Sequence, residues 1–232
     1  MTFPGLRFIL AALAASWSAS AIAADGAHPT VVELFQSQGC SSCPPANANL
    51  MALIGRPDIL ALSFGVTYWD QLGWKDTFAQ PTFTARQWDY AHALKHQSVF
   101  TPQVVVNGRR DGVGANPAEL RALIVAGDRG VGGPSLSFRP GQAIVGAAPS
   151  PTGGADVWLV RYDPRIVQVP IQRGENAGRT LPHRDVVRQL TRLGHWRGRA
   201  ASFDVAAASP GLATAILVQA GPGGPILAAA RS

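Results

Sequence analysis

The sequence has few cysteines and few charged residues. Two cysteines in 232 residues cannot build a disulfide-dense scaffold, so hydrophobic burial must stabilise the fold. Charged residues make up 15% of the chain and hydrophobic residues 47%, which excludes a disordered protein. Lysine is also scarce, because Lys75 and Lys95 are the only lysines among 20 basic residues. The net charge of +6 is not accompanied by any motif of a nucleic-acid-binding module, so we expect no nucleic-acid partner.

Residues 1–23 have the pattern of a secretory signal peptide. Arg7 supplies the positive charge, residues 8–15 form a short apolar stretch, and small residues at positions 21 and 23 suit cleavage after Ala23. No later stretch approaches 18 consecutive apolar residues, so we expect no transmembrane segment in the mature chain. The pattern predicts a periplasmic or secreted protein whose cysteines face an oxidising compartment.

The remaining sequence divides into two regions of different texture. Residues 28–130 alternate strand and helix patterns, in the order strand, C-x-x-C, helix, strand, helix, strand, hairpin strand, helix. After the turn-rich residues 130–134, residues 131–232 show short apolar alternations separated by glycine and proline, as in a β-sandwich. Within this region we predict a helix over residues 183–193, because Val186, Val187, Leu190 and Leu193 would share one helical face. A strand is the alternative. We therefore predict an α/β domain over 28–130 and a β-rich, sandwich-like domain over 131–232.

The two cysteines form a Cys40-Ser-Ser-Cys43 sequence between a predicted strand and a predicted helix. Cys40 lies near the helix N-terminus, where unpaired N–H groups and the helix dipole favour its thiolate. A thiolate is the attacking species in thiol–disulfide exchange. Cys43 lies one helical turn further on, within reach to resolve a mixed disulfide. The pattern favours redox chemistry.

This arrangement resembles the thioredoxin superfamily, with Thr101-Pro102 placed just before a strand. The resemblance is closer to an exported bacterial family, domain of unknown function 1223, and covers most of the mature chain. It is carried by residues 34–45 around the cysteines, Tyr68 to Trp74, Phe100 to Gln103, and Gly174-Glu-Asn176.

The resemblance implies an α/β thioredoxin-like domain with Cys40 as nucleophile and Cys43 as resolving thiol. It also implies a cis proline at Pro102, where Thr101 could pair with a bound substrate chain. Glu33, in the strand before the cysteines, corresponds to a buried carboxylate that helps to move protons. The implied activity is thiol–disulfide exchange on envelope proteins, with the Cys40–Cys43 disulfide in place of a cofactor.

Other interpretations of the cysteines stay open. The pair could form a static structural disulfide in a non-catalytic envelope protein that binds a partner. His92 and His96 are four residues apart on a predicted helix and share a face. Together with Cys40 and Cys43 they would make a two-Cys, two-His set for zinc or copper.

Two further features, a group of aromatic residues and a group of arginines, allow either a structural or a functional interpretation. The aromatic residues from Tyr68 to Phe83 could be packing residues or an apolar rim that binds an extended client chain. Residues 161–199 carry nine arginines against three acidic residues, which fits a solvated face or an anionic partner. The sequence has no G-x-S-x-G elbow and no glycine-rich phosphate loop that opens a helix, so serine hydrolase and phosphate-loop readings find no support.

Overall fold

The computed structural model describes Met1 and residues 23–232, so the predicted signal peptide lies almost wholly outside the described residues. The described part contains three α-helices: α1 (Cys43–Met51), α2 (Pro81–Ala93) and α3 (Pro117–Gly127). A short 3-10 helix covers Asp70–Leu72. The strands, in chain order, are β1 (Thr30–Gln36), β2 (Ile59–Gly65), β3 (Gln103–Val106), β4 (Arg110–Gly112), β5 (Leu136–Arg139), β6 (Gln142–Val145), β7 (Ala155–Asp163), β8 (Val167–Pro170), β9 (Thr180–His183), β10 (Val186–Trp196), β11 (Ala201–Asp204), β12 (Ala213–Gln219) and β13 (Ile226–Arg231).

One mixed sheet organises the described chain. Its eight strands run in the order β13-β12-β7-β10-β2-β1-β3-β4. Strands β1 and β2 are parallel, from Thr30 opposite Ile59 to Gln36 opposite Gly65. Strand β10 also runs parallel to β2, through the pair of Val186 and Ser63. Smaller sheets, β11-β6-β5 and β8-β9, complete the strands of the described residues.

The predicted fold class is wrong. We expected an α/β thioredoxin-like domain followed by a separate β-rich domain, and the element order expected over the first region is present. However, the described chain is mostly β-sheet, and strands of both regions share the eight-stranded sheet. The joint lies at β2, where the amide of Ser63 donates to the carbonyl of Asp185 at 2.9 Å. The unpaired N–H and C=O groups of an edge strand are a template for a further strand, and here β10 pairs with that side of β2.

The core is also shared between the two regions. Side chains of β1 and β2, such as Phe35 and Leu62, are buried in one cluster with Val160 of β7, Val187 of β10 and Leu217 of β12. The turn that we interpreted as a boundary packs closely as well. A Cβ on Gly133, whose φ is +105°, would lie 2.1 Å from the carbonyl oxygen of Leu227. The absence of a side chain at Gly133 therefore allows close packing of the turn onto the sheet.

The predicted helix over residues 183–193 is a strand. Strand β10 begins at Val186 after a turn at Asp185, whose φ is +50°. Its pairing with β7 shifts register twice, between Val187 and Gln189 and between Arg192 and Gly194. Each bulge inserts an extra residue and interrupts the twofold alternation of a strand. The interrupted alternation imitates a helical period in the sequence.

The helices cover the two faces of the sheet around β1. Leu34 on β1 is buried in a cluster with Leu50 of α1 and Leu120 of α3. On the other face, Phe35 is buried in a cluster with Phe83 and Tyr90 of α2. In the residues that the structure describes, no helix combines the length and the apolar character needed to cross a membrane.

Candidate functional site

The two cysteines lie just beyond the C-terminal end of β1, where the chain turns into α1. Cys40 is 0% exposed and Cys43, the first residue of α1, is 1% exposed, while Ser41 and Ser42 between them face solvent. Both cysteines are free thiols. Ser42 occupies the N-cap position but makes no side-chain cap bond. Its hydroxyl lies 3.2 Å from the sulfur of Cys40 instead.

The environment separates the two thiols electrostatically. Hydrogen bonding from Cys43 is the main factor that lowers the pKa of Cys40 to about 6, and it outweighs the opposing effect of burial. The hydroxyls of Ser42 and Thr101 lower the pKa of Cys40 further. Burial, with the hydrogen bond to Cys40, raises the pKa of Cys43 far above its usual value. At neutral pH the pair is therefore one thiolate and one thiol that donates to it.

Thr101 lies close enough to both thiols for its hydroxyl to affect their pKa values, and Pro102 follows it. The peptide bond between them is cis, and Pro102 is buried. Tyr68, which follows β2, reaches the same place. Burial raises the pKa of Tyr68 to about 12, and the nearby cysteines add to the effect. Its hydroxyl has no hydrogen-bond partner within the described part of the chain. Tyr68 thus brings a buried, protonated hydroxyl toward the cysteines.

Glu33 lies in a buried ion pair. It is 0% exposed and forms an ion pair with Arg86 of α2, with Nε and Oε1 2.8 Å apart. The hydroxyl of Tyr90 donates to the same carboxylate, and Arg86 donates to Gln219 of β12 at 3.0 Å. Glu33 therefore belongs to a buried network that ties α2 to the β1 and β12 parts of the sheet. We call these four residues the Glu33 network.

The predicted metal set is not assembled. Nε2 of His96 lies 2.8 Å from Asp111, and the ring of His92 packs against Trp88 at a tilt of 36°, with ring centroids 5.6 Å apart. No group of three or more histidine, cysteine or acidic residues that could hold a metal ion occurs in the described residues, so these histidines do not join the cysteines.

The aromatic group between Tyr68 and Phe83 does not form one rim. Phe83 is fully buried in the core under α2, and Tyr68 and Trp69 pack against that core. Trp74 and Phe78 instead pack against Val169, Ile171 and Leu181 near β8 and β9. The indole of Trp74 also donates to Gln38, at 2.9 Å, in the loop before Cys40. These two aromatics support the segment that covers the site.

A loop from the second region covers the cysteines. We call residues 172–179, between β8 and β9, the cover loop. Asn176 is 0% exposed, and its amide donates to the carbonyls of Gln38 and Cys40, both at 2.9 Å. The carboxylate of Glu175 accepts the amide N–H of Ser41 at 2.9 Å. The cover loop is thus hydrogen-bonded to the backbone of the cysteine turn at Gln38, Cys40 and Ser41.

Asp76 supports the turn from the opposite side. Its carboxylate accepts the N–H groups of Gln38 at 2.7 Å and Phe78 at 2.8 Å. Burial nevertheless raises the pKa of Asp76 to about 6. Sequence analysis missed this residue, because an aspartate in a loop carries no signal of its own.

The sequence did not predict that the cover loop contacts the cysteine turn; Gly174-Glu-Asn176 was only one of the motifs that carry the family resemblance. Gly174-Glu-Asn176 is a turn-forming sequence, and its contact with Cys40 spans 136 positions. No local pattern can report a pairing at that separation. A cavity beside Cys43 is lined by His183, to which the sequence analysis gave no role.

The chain is similar to a protein family and to solved structures of two bacterial proteins. A family model described as protein of unknown function (DUF1223) matches residues 31–219. A crystal structure of a protein from Agrobacterium tumefaciens has 30% identity and a TM-score of 0.70, covering 90% of this chain and 94% of that one. HBP35 of Porphyromonas gingivalis has 12% identity and a TM-score of 0.58, covering 91% of this chain and 76% of that one, and shows likeness of fold alone. No curated protein matches.

Proposed function

The chain belongs to the DUF1223 family of proteins of unknown function, and from its cysteine pair we propose that it is an exported thiol–disulfide oxidoreductase acting on cell-envelope proteins. The single observation that carries the proposal is the placement of two free cysteines where β1 turns into α1, with Cys43 as the first residue of the helix and the Ser42 hydroxyl 3.2 Å from the Cys40 sulfur; the pKa shifts of the two thiols support it. The pKa of Cys40 is lowered to about 6 and the pKa of Cys43 is raised. A static disulfide needs no such asymmetry, whereas exchange needs one attacking thiolate and one protonated partner.

The reaction follows from that division. The Cys40 thiolate attacks one sulfur of a client disulfide, so a Cys40–client bond forms and the client bond breaks. The second client sulfur leaves as a thiolate and takes a proton. Cys43 then loses its proton to solvent and attacks Cys40, which forms the Cys40–Cys43 disulfide and releases the first client sulfur. The client gains two electrons and the pair loses two, and the reverse sequence oxidises a client dithiol.

The buried environment defines what must happen first. Cys40 is 0% exposed, so a client sulfur can reach it only after the surrounding chain moves, and we propose that the cover loop, which is bonded to the Cys40 carbonyl, is the segment that moves. Loops of this kind open on microsecond to second timescales in many proteins. The cover loop therefore separates the reactive thiolate from unwanted oxidants until a client displaces it.

The first test is the reduction potential of the pair, measured by equilibrating the protein with glutathione buffers. We expect a value above about −300 mV, in the range of exchange catalysts. A value below about −300 mV would mark a structural bridge and overturn the proposal.

The second test assigns the roles of the two sulfurs. Cys43→Ser should accumulate a mixed disulfide with client proteins through Cys40, and Cys40→Ser should form none. Equal trapping by both variants would contradict the division of roles. Export is tested separately, by N-terminal sequencing of the protein recovered from the periplasm. Cleavage after residue 23 or 24 is the expected result.

A further inference from the structure

A cavity of about 420 Å³ lies beside Cys43, between the first turns of α1 and strand β9. Its volume is within the range of about 300–1,000 Å³ that is typical of small-molecule sites. Apolar and weakly polar side chains dominate its wall: Cys43, Pro44, Met51, Leu181, Pro182 and His183. The resolving thiol thus forms part of a cavity that no other part of the mechanism uses.

Among the lining residues, His183 has a buried side-chain polar atom that lacks a partner, whereas the amides of Gln36 and Asn47 on the same wall are hydrogen-bonded. His183 is 3% exposed, and its Nε2 is buried without a hydrogen-bond partner in the part of the chain that the structure describes. The ring is held edge-on by Phe78, with centroids 5.4 Å apart. Burial lowers the pKa of His183 to about 4, so the imidazole is neutral at pH 7. A buried polar atom without a partner is unfavourable. The imidazole must rotate before a ligand in the cavity can pair with Nε2, and that pairing removes the cost.

The cavity chemistry selects the ligand. A neutral imidazole nitrogen is a donor or an acceptor according to its tautomer, and a hydroxyl group can pair with either. The thioether of Met51 and the rings of Pro44 and Pro182 suit an aromatic ring better than a flexible chain. The one cationic residue of the wall, Arg179, is exposed and already donates to Asn176 at 2.7 Å, so the interior has no counter-charge for an anion.

We propose that this cavity binds a phenolic ring, supplied by a tyrosine next to the reacting disulfide of a client polypeptide. The assignment of the client rests on the proposed function, because Cys43 belongs both to the cavity wall and to the redox pair. The phenol itself rests on the cavity alone. A tyrosine ring in the cavity would bury its apolar face and pair its hydroxyl with His183, as buried tyrosines require.

The cavity is tested with p-cresol, the side-chain analogue of tyrosine, and with toluene, which lacks the hydroxyl. Binding is followed by NMR of the His183 ring and by competition. We expect p-cresol to shift the His183 resonances of the wild-type protein and to bind at least about tenfold more tightly than toluene. His183→Leu should remove that difference. Equal binding of the two compounds to the wild-type protein, or no binding of p-cresol, would overturn the proposal.

A second variant guards against misfolding of His183→Leu. Ala48 lines the cavity from an exposed position of α1, so Ala48→Phe should fill it without disturbing the core. This variant should lose p-cresol binding. Unchanged p-cresol binding by a folded Ala48→Phe protein would show that the ligand sits elsewhere.

The source of the phenol is tested with two disulfide peptides that differ only in carrying tyrosine or phenylalanine beside the cysteine. We expect the tyrosine peptide to react at least about fivefold faster, and His183→Leu to abolish the preference. Equal rates together with p-cresol binding would overturn the client assignment and indicate a free phenolic ligand. Glutathione disulfide separates the two proposals: if the wild-type protein fails to react with it, the proposed function fails, while the p-cresol measurement still decides the cavity.

Discussion

Two groups of buried polar side chains near β1, the Glu33 network and the residues around the cysteines, differ in how their polar atoms are satisfied. In the Glu33 network, Arg86 donates to Glu33, Tyr90 and Gln219. Gln219 in turn donates to Tyr90 and to the carbonyl of Gly224. Around the cysteines, the hydroxyls of Tyr68 and Thr101 and Nε2 of His183 have no hydrogen-bond partner within the described residues.

The difference separates a structural device from a candidate site. The Glu33 network fixes the packing of α2 on the sheet. Removing Glu33 or Arg86 would leave the other as an unpaired buried charge. An unsatisfied buried polar group destabilises the free protein. A ligand that forms a hydrogen bond with this group removes that cost and so binds more tightly. Both places contain ionisable groups, so the presence of a buried carboxylate or thiol alone does not identify the functional one.

The largest expected effect comes from breaking the closed network. Glu33→Ala should lower the free energy of unfolding by about 3–5 kcal/mol, because it leaves Arg86 as an unpaired buried charge. Urea denaturation measures the change, and the folded fraction should keep the wild-type rate of Cys40 alkylation. Glu119→Ala, at an exposed glutamate of α3, is the matched control and should change stability by less than about 0.5 kcal/mol. If Glu33→Ala folds normally but its Cys40 reacts slowly, Glu33 takes part in the reaction of Cys40 and its role is not only structural.

The second prediction concerns the bonds that close the cover loop. Asn176→Ala removes two hydrogen bonds to backbone carbonyls, worth together about 1–3 kcal/mol. Alkylation of Cys40 by iodoacetamide should therefore accelerate by about tenfold or more. Asn49→Ala is a close control, since the Asn49 amide also donates to two carbonyls at 2.9 Å, those of Gly114 and Ala115. Similar acceleration in both variants would mean general loosening of the fold rather than opening of the loop.

The third prediction uses pH to sharpen the contrast. The pKa of His183 is lowered from 6.5 to about 4 in the folded protein, so the unfolded chain binds more protons between these values. The stability contributed by neutral His183 is present above pH 6.5 and is lost as the pH falls towards 4. Asp76 and Asp185, whose pKa values burial raises to about 6, act in the opposite direction. The effect of His183 must therefore be measured as a difference between two proteins.

The comparison uses the wild-type protein and His183→Gln, with urea denaturation at pH 7 and pH 4.5. Acidification should destabilise the wild-type protein more than the variant, by about 1–3 kcal/mol. His92→Gln, at an exposed histidine of α2, should behave like the wild-type protein. An identical pH response in the wild-type and His183→Gln proteins would mean that the imidazole is not buried as a neutral group.

The smallest expected effect concerns Glu175. Its carboxylate is exposed and accepts one N–H group, so Glu175→Gln keeps an acceptor and loses only a screened charge. The alkylation rate of Cys40 should rise by less than about threefold. Glu119→Gln is the control. A rise as large as that of Asn176→Ala would show that the charge of Glu175, rather than the amide of Asn176, holds the cover loop.

Sequence patterns predicted the local elements better than their assembly. The order of strands and helices over residues 30–127 is present, because it rests on hydrophobic periodicity and on caps such as Asn116, whose side chain accepts the N–H of Ala118 at 2.8 Å. The fold class and the helix at 183–193 were wrong. In β10 the bulges hide the strand period, and the pairing of Val186 with Ser63 has no local signature.

The sequence by itself determined which residues carry chemistry: a pair of cysteines three positions apart, at the start of a helix that follows a strand. Tertiary structure alone decided their environment. Asn176 and Glu175 reach the cysteine turn from more than 130 positions away, and His183 comes to the cavity beside Cys43 from a different strand. Burial, hydrogen bonding and pKa depend on atoms within a few ångströms, and in a folded chain those atoms come from distant positions. Local spacing fixes the thiols, and long-range packing fixes what they can do.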